Sequence, residues 1–200
     1  MQDFAEIDPN RFAAVLYRPE DDVDTMLARF AFERRRAGER LGGIVQVNDK
    51  DATGRQTGMS AVDLMTDRKV SLCQPLGSGA MACKLDAAGL AEASLAIGDA
   101  VAADVDLIVI NKFSKQEAGG KGLRSEFADV ILSGIPLLTA VPEKCLDAWV
   151  SFTGDRGTTL LCAPHVIGAW WQDLSARLVR LPGQPHRGVS TPALLADHHV

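Results

Sequence analysis

The sequence is poor in cysteine and has no long apolar run, and these absences exclude several classes of protein. Only 4 cysteines occur among 200 residues, with no C-x-x-C pair, so a disulfide scaffold is excluded and four reduced thiols are expected. No stretch approaches the roughly 18 apolar residues of a membrane-spanning helix, so no membrane association is expected. The net charge of −5 excludes a general nucleic-acid binder, because such proteins are usually basic overall.

The composition is that of an ordinary globular protein. The chain is 46% apolar and 24% charged, and its length suits a single domain, which we expect over residues 1–181. After this point the sequence turns to Gly, Pro, Ser and His, which predicts a flexible tail over residues 182–200. The first residues are acidic and carry no hydrophobic stretch, so no signal peptide is predicted and a cytoplasmic location is expected.

Predicted strands and helices alternate along the chain. The predicted strands cover residues 12–17, 42–47, 61–65, 69–73, 105–110, 135–141 and 159–162. The predicted helices cover residues 22–38, 86–103, 123–132, 144–152 and 165–179, and residues 48–57 are predicted as a loop. This alternation predicts a three-layer α/β fold with a mainly parallel sheet, whose ligands bind beyond the carboxyl ends of the strands.

The loop after the first predicted strand is acidic. P-loop proteins have G-x-x-x-x-G-K-[ST] at this position, and its backbone N–H groups bind phosphates. Residues 18–25 contain neither Gly nor Lys, and their carboxylates are Glu20, Asp21, Asp22 and Asp24. Three interpretations stay open: a solvated first helical turn, a site for a metal or cationic ligand, and a phosphate site.

The segment after the strand at 105–110 is basic and glycine-rich. It would emerge at the ligand-binding edge of the sheet, where backbone N–H groups, a helix dipole and lysines together could bind an anion. The candidate ligand-binding residues are Asn111, Lys112, Ser114, Lys115, Glu117, Lys121 and Arg124. The alternative is a turn with ordinary surface lysines. Glu117 is expected to pair with one of the lysines. Lys112 is expected to be exposed, so that Lys112→Ala weakens anion binding and leaves the fold intact.

A third candidate site lies between Cys73 and Cys83. Gly77, Ser78 and Gly79 could present backbone N–H groups to an oxyanion. The two thiols could bind a soft metal or oxidise reversibly. A flexible loop between two small buried side chains explains the same residues.

The three tryptophans fall on predicted helices with apolar neighbours: Trp149, Trp170 and Trp171. This pattern favours core or subunit contacts over ligand stacking. In an interaction module, the helix that carries the last two would be the contact face.

Part of the sequence resembles the small P-loop nucleoside triphosphatases first described from thermophiles. The resemblance covers residues 105–141. Asn111 and Lys112 stand where those enzymes have an Asp-Glu pair, and Lys115 and Glu117 match a later Lys and Glu.

A larger part, residues 12–175, resembles the bacterial domain of unknown function 2478. The shared elements are Cys83-Lys84-Leu85-Asp86 and Asn111-Lys112-Phe113-Ser114-Lys115-Gln116-Glu117. The resemblance implies a P-loop NTPase-like fold and an association with molybdenum transport or molybdoenzymes. Nucleotide hydrolysis in P-loop enzymes uses a phosphate-binding Lys, a Ser/Thr on Mg²⁺ and an Asp at a strand end. The first two are missing here and Asn111 replaces the third, so binding is favoured over hydrolysis.

We therefore expect a protein that binds a nucleotide or a small oxyanion such as molybdate, phosphate or sulfate, with little or no turnover. An accessory or regulatory role in molybdenum metabolism would follow. No catalytic residue, metal ligand or cofactor is assigned, and a second copy of the chain stays an open partner. Two alternatives are an active nucleoside triphosphatase or phosphotransferase with Glu117 acting on the nucleophile, and an interaction module without a small ligand.

Overall fold

The computed structural model describes residues 8–50, 52–53, 56–75 and 83–179. The strands in this part of the chain are β1 (Phe12–Tyr17), β2 (Leu41–Lys50), β3 (Gln56–Asp63), β4 (Lys69–Ser71), β5 (Cys73–Pro75), β6 (Cys83–Leu85), β7 (Leu107–Ile110), β8 (Leu137–Pro142) and β9 (Thr158–Leu161). The α-helices are α1 (Val23–Arg36), α2 (Ala87–Ala102), α3 (Lys115–Ala118), α4 (Arg124–Ser133), α5 (Leu146–Thr153) and α6 (Pro164–Val179).

Most strands belong to one 7-stranded sheet in the order β4-β3-β2-β7-β8-β1-β9. The strands from β2 to β9 in this order run parallel, whereas β3 and β4 add an antiparallel edge. β5 and β6 pair with each other as a separate hairpin. The mainly parallel sheet predicted from the alternation of elements is confirmed.

Helices cover both faces of the sheet because the strand residues alternate between two cores. Phe12 and Ala14 of β1 belong to the core that includes α2, α4 and α5. Ala13 and Val15 of the same strand belong to the opposite core, with α1 and α6. The fold is therefore the predicted three-layer α/β arrangement, and its central strands are apolar on both faces.

Three of the helices in the described ranges begin or end at a capping residue predicted from the sequence. The Asp22 side chain accepts a hydrogen bond from Thr25 N at 3.4 Å at the start of α1. The Asp86 side chain likewise accepts one from Ala88 N at 3.1 Å at the start of α2. Gly134 ends α4 in the left-handed region, with φ of 71°. These caps confirm helix boundaries that the sequence alone predicts.

The loop predicted at residues 48–57 is too long, because both of its ends belong to strands and a turn is described only at residues 52–53. β2 continues to Lys50 and β3 begins at Gln56, and the two strands pair antiparallel with Asn48 opposite Met59. Ladder hydrogen bonds join backbone groups, so polar side chains do not prevent a strand there. The short helix α3 forms in a segment that was predicted as a turn.

The tryptophans lie in the cores, which confirms the favoured interpretation of their pattern and leaves the alternative of a contact face on the last helix without support from them. Trp170 and Trp171 are buried against α1 and the sheet. Trp149 is buried in the other core, where its ring contacts those of Phe113, Phe127 and Phe152. An interaction module would therefore need another surface.

Some predictions concern residues that the structure does not describe. The expected tail at 182–200 lies outside the described residues, as do Gly77, Ser78 and Gly79. Among the helices in the described ranges, none has the length and apolar character to cross a membrane.

Candidate functional site

The candidate site lies at the carboxyl edge of the parallel strands, where β1 leads into α1 and β7 leads into a basic loop. Asp24 is the second residue of α1, and Asn111 and Lys112 directly follow β7. β2 lies beside β7 in the sheet and carries Gln46 just beyond the residues that pair with it. Parallel strands end at the same edge, so these four polar side chains come together.

The Asp24 carboxylate is the centre of this cluster and receives four hydrogen bonds. Lys112 Nζ lies 2.9 Å from Oδ1 and 3.1 Å from Oδ2. Asn111 Nδ2 donates to Oδ1 at 3.0 Å, and Gln46 Nε2 donates to Oδ2 at 2.8 Å. The Asp24 side chain is only 13% exposed. The expectation of a solvated acidic turn holds for Glu20 and Asp22, which are exposed, but is wrong for Asp24.

Lys112 is an ion-pair partner, which corrects the expectation of an exposed lysine. Its side chain is 22% exposed, and its ammonium lies 5.5 Å from the centre of the Tyr17 ring. Burial, and secondarily the charge of Asp24, raise the pKa of Tyr17 to about 12. The phenol is therefore neutral near pH 7, and the positive charge of Lys112 faces one carboxylate and one aromatic ring.

The side-chain oxygen of Asn111 is a hydrogen-bond acceptor without a partner among the described residues. The residue is 4% exposed, and its peptide bond to Lys112 is cis. Its Oδ1 is buried, and no hydrogen-bond partner for it occurs among the described residues. Buried polar atoms are nearly always hydrogen-bonded in native proteins, so an unpaired oxygen here marks a position that a donor can fill.

Glu117 has a structural role, in contrast to the lysine pairing considered from the sequence. Its Oε2 accepts from Ser114 N at 2.9 Å and its Oε1 accepts from Leu123 N at 3.1 Å. Gly122 adopts φ of 61°, and a Cβ at this position would overlap Glu117 Oε1. The carboxylate thus fixes the turn between α3 and α4, which leaves it poorly suited to act on a nucleophile.

The remaining basic residues lie along the same loop. Arg124 donates from Nη1 to Glu117 O at 2.8 Å, and its guanidinium lies 4.3 Å from the centre of the Phe152 ring. Lys115 and Lys121 are exposed. A cleft of about 330 Å³ opens here, and its lining residues are Gly120, Lys121, Gly122, Arg124, Ser125, Ala128 and Phe152.

Four of the seven residues predicted in this loop therefore fall into two groups, and Ser114, Lys115 and Glu117 belong to neither. Asn111 and Lys112 contact Asp24 at the sheet edge. Lys121 and Arg124 line the cleft, and Asn111 and Lys112 are not among its lining residues. Sequence reasoning missed Asp24 and Gln46 as members of the first group. Gln46 carried a signal, because it is a polar residue within an otherwise apolar predicted strand.

Two polar contacts hold the loop between β1 and α1, one within the loop and one to the residue that follows β8. Asp21 Oδ2 accepts from Arg18 N at 2.7 Å, and the Arg18 side chain forms an ion pair with Glu143 at 2.7 Å. In the described part of the chain, no group of three or more His, Cys, Asp or Glu residues is placed to hold a metal ion. The metal-site interpretation of this loop therefore has no support from the geometry.

The cysteine-bounded candidate is only partly described. Cys73 pairs with Leu85 and Cys83 with Pro75 in the small hairpin, so the two cysteines occupy diagonal positions. Diagonal residues of an antiparallel pair lie about 7–8 Å apart, which is longer than the usual Cα separation of a disulfide. Elsewhere Cys145 and Cys162 are free thiols. Burial raises the pKa of Cys162, and the negative charges of Asp21 and Asp22 raise it further.

Known structures share this fold. The human cancer-related nucleoside triphosphatase is 14% identical, and the alignment covers 86% of this chain and 98% of that one, with a TM-score of 0.55. THEP1 from the hyperthermophile Aquifex aeolicus is also 14% identical. The alignment covers 84% of this chain and 99% of the THEP1 chain, with a TM-score of 0.61. The architecture is thus P-loop NTPase-like.

A sequence relative is much more similar. A segment of the molybdenum import ATP-binding protein ModC 2 of Bradyrhizobium diazoefficiens is 70% identical over 179 residues, which are 90% of this chain. The match spans only 20% of that relative's own length. Residues 12–170 match the family described as protein of unknown function (DUF2478), and the chain belongs to that family.

Proposed function

We propose that the chain binds a nucleotide or a small oxyanion, with little or no hydrolysis, as a cytoplasmic accessory of molybdenum import. The P-loop NTPase-like fold supports a phosphate-bearing ligand at the carboxyl edge of the sheet. The name of the 70% identical relative, an ATP-binding protein of molybdenum import, supports both the nucleotide and the pathway.

The arrangement around Asp24 is the observation that carries the proposal of slow hydrolysis. Residues 18–25 offer neither the glycines nor the lysine that hold phosphates in active P-loop enzymes. The lysine nearest to this position, Lys112, is engaged by Asp24. Losing one preorganised transition-state contact typically costs about 10²–10³ in rate, so the loss of several makes rapid turnover unfavourable.

The proposed ligand lies along the loop from Asn111 to Arg124. A nucleotide would contact Lys112 near the sheet edge and Lys121 in the cleft, whereas a small oxyanion would bind at one of these two places. Two charge-assisted hydrogen bonds of roughly 1.5–3 kcal/mol each would give measurable affinity. The cleft volume of about 330 Å³ is at the lower end of the usual range for small-ligand sites.

Calorimetry with ATP, GTP, molybdate, phosphate and sulfate tests the binding proposal. Lys121→Ala should raise the Kd of the bound ligand about tenfold, because one charged contact is lost. The matched control is Arg29→Ala, because Arg29 is 78% exposed and lies on α1, on the opposite face of the sheet. The proposal is wrong if the wild type binds none of these ligands at millimolar concentration.

The accessory role is tested by copurification with the molybdate-import ATP-binding protein of the same organism. We expect the two proteins to associate, because the relative carries a similar segment within one longer chain. We also expect molybdate uptake to change when the chain is deleted. Unchanged uptake together with a lack of association would refute this role and leave the binding proposal standing.

A further inference from the structure

The fold has a known position for a divalent cation, and this chain departs from the motif there. In P-loop enzymes Mg²⁺ is held by a Ser or Thr at the start of the first helix and by an Asp at the end of a neighbouring strand. Contrary to the expectation from the sequence, the Ser/Thr position of the motif is filled, by Thr25. Asp24 stands immediately before it, where the motif has its Lys, and Asn111, directly after β7, stands at the Asp position. Lys112 Nζ lies 2.9 Å and 3.1 Å from the two Asp24 oxygens, and Asn111 Nδ2 donates to the same carboxylate.

The residues present do not fit Mg²⁺. This ion requires near-octahedral oxygen ligands at about 2.0–2.1 Å and retains several waters. Both oxygens of Asp24 already accept hydrogen bonds from nitrogen donors on Lys112, Asn111 and Gln46. A dication on this carboxylate would also lie against the ammonium of Lys112, where like charges repel strongly in a partly buried environment.

We infer that the ammonium of Lys112 takes the place of the divalent cation, so that the site binds its anionic ligand without Mg²⁺. This inference rests on the proposed function. An ammonium has three N–H donors, and the two bonds to Asp24 leave the third for an oxygen of the ligand. The Lys112 side chain is 22% exposed, so that a ligand can reach it.

The unpaired oxygen of Asn111 gives the inference a second, independent support. Asn111 Nδ2 is bonded to Asp24, whereas Oδ1 is buried without a partner among the described residues. Asp24 and this oxygen together are the kind of ligand set that hard cations prefer. If Lys112 is what excludes a metal, then removing its charge should create a metal site from these oxygens.

The first experiment uses Mn²⁺ and Mg²⁺ alone and compares melting temperatures. Wild type should be unaffected by either metal, whereas Lys112→Met should be stabilised by a few degrees. The double variant Asp24→Asn/Lys112→Met removes the carboxylate as well and should lose the metal effect. Equal stabilisation of wild type and Lys112→Met, or of neither, would overturn the inference.

The second experiment needs only the wild type, so it decides the matter even if Lys112→Met fails to fold. Calorimetry measures the Kd for ATP in excess EDTA and again in excess Mg²⁺. We expect the two values to agree within about twofold. Binding that requires Mg²⁺, or that gains tenfold or more from it, would overturn the inference and leave the proposed function intact. Absence of ATP binding in both buffers would overturn the inference, and it would overturn the proposed function as well if GTP, molybdate, phosphate and sulfate also fail to bind.

Discussion

At the scale of single residues, the pair formed by Asp24 and Lys112 contributes to stability as well as to the candidate site. Both side chains are mostly buried, and each neutralises the other. Removing one partner of such a pair leaves an uncompensated charge in a region of low dielectric, which costs more than the pair itself contributes.

We therefore predict that Lys112→Ala lowers the free energy of unfolding by about 3 kcal/mol. The double variant Asp24→Asn/Lys112→Met should lie much closer to wild type, because it leaves no unpaired charge. Urea unfolding of the three proteins measures both effects. A Lys112→Ala protein within about 0.5 kcal/mol of wild type would show that solvent screens Asp24 and would restore the expectation of a freely replaceable lysine.

The single tyrosine of the chain gives a direct titration of the same site. Burial and Asp24 raise the pKa of Tyr17 from 10.0 to about 12. Because the folded protein holds this proton more tightly, Tyr17 contributes stability that is fully present below pH 10 and is lost as pH rises to about 12.

We predict that tyrosinate absorbance of the native protein rises with a midpoint near 12, against about 10 in concentrated urea. Asp24→Asn should lower the native midpoint, since it removes the second cause of the shift. A native midpoint equal to that in urea would contradict the burial of the phenol beside Asp24.

At the scale of elements, the turn between α3 and α4 depends on a glycine. Gly122 has a positive φ, and any side chain there would meet the Glu117 carboxylate that caps the turn. Gly98, by contrast, is exposed in α2, and a Cβ there would meet nothing within 4 Å.

We predict that Gly122→Ala lowers the melting temperature, because a left-handed alanine costs about 1–2 kcal/mol before the overlap is counted. Gly98→Ala should raise it, through a gain in helix propensity of about 0.5–1 kcal/mol. Thermal unfolding of the two variants side by side gives opposite signs. If Gly122→Ala is as stable as wild type, Glu117 does not hold the turn.

The elements show which part of the structure the sequence could predict. β1 matches its predicted range because it is an apolar run bounded by polar residues, and the caps of α1 and α2 are local signals. The continuation of β2 to Lys50 could not be seen, since it depends on pairing with β3. The contact between Asp24 and Lys112 joins residues 88 positions apart, which no local pattern encodes.

At the scale of the whole molecule, the fold is P-loop NTPase-like, whereas residues 18–25 lack the glycines and the lysine of the phosphate-binding motif. We predict that ATP and GTP turnover does not exceed about 10⁻² s⁻¹, well below ordinary enzyme rates. Phosphate release by the purified protein measures this. Turnover at about 1 s⁻¹ that is abolished by Asp24→Asn would refute the prediction and favour an active triphosphatase.

The position of the first strand also bears on how the chain folds. β1 lies between β8 and β9, so its residues pair with partners such as Leu137 and Thr158. During synthesis β1 leaves the ribosome before both of its neighbours, so the sheet can enclose it only after β8 and β9 have followed. Such non-local pairing slows folding, because the chain between the paired strands loses entropy on closing before any stabilising contact forms. A nascent chain without β8 and β9 therefore leaves the apolar residues of β1 without their partners in the sheet. Since β8 lies between β7 and β1, the pair formed by Asp24 and Lys112 is completed only after β8 has joined the sheet.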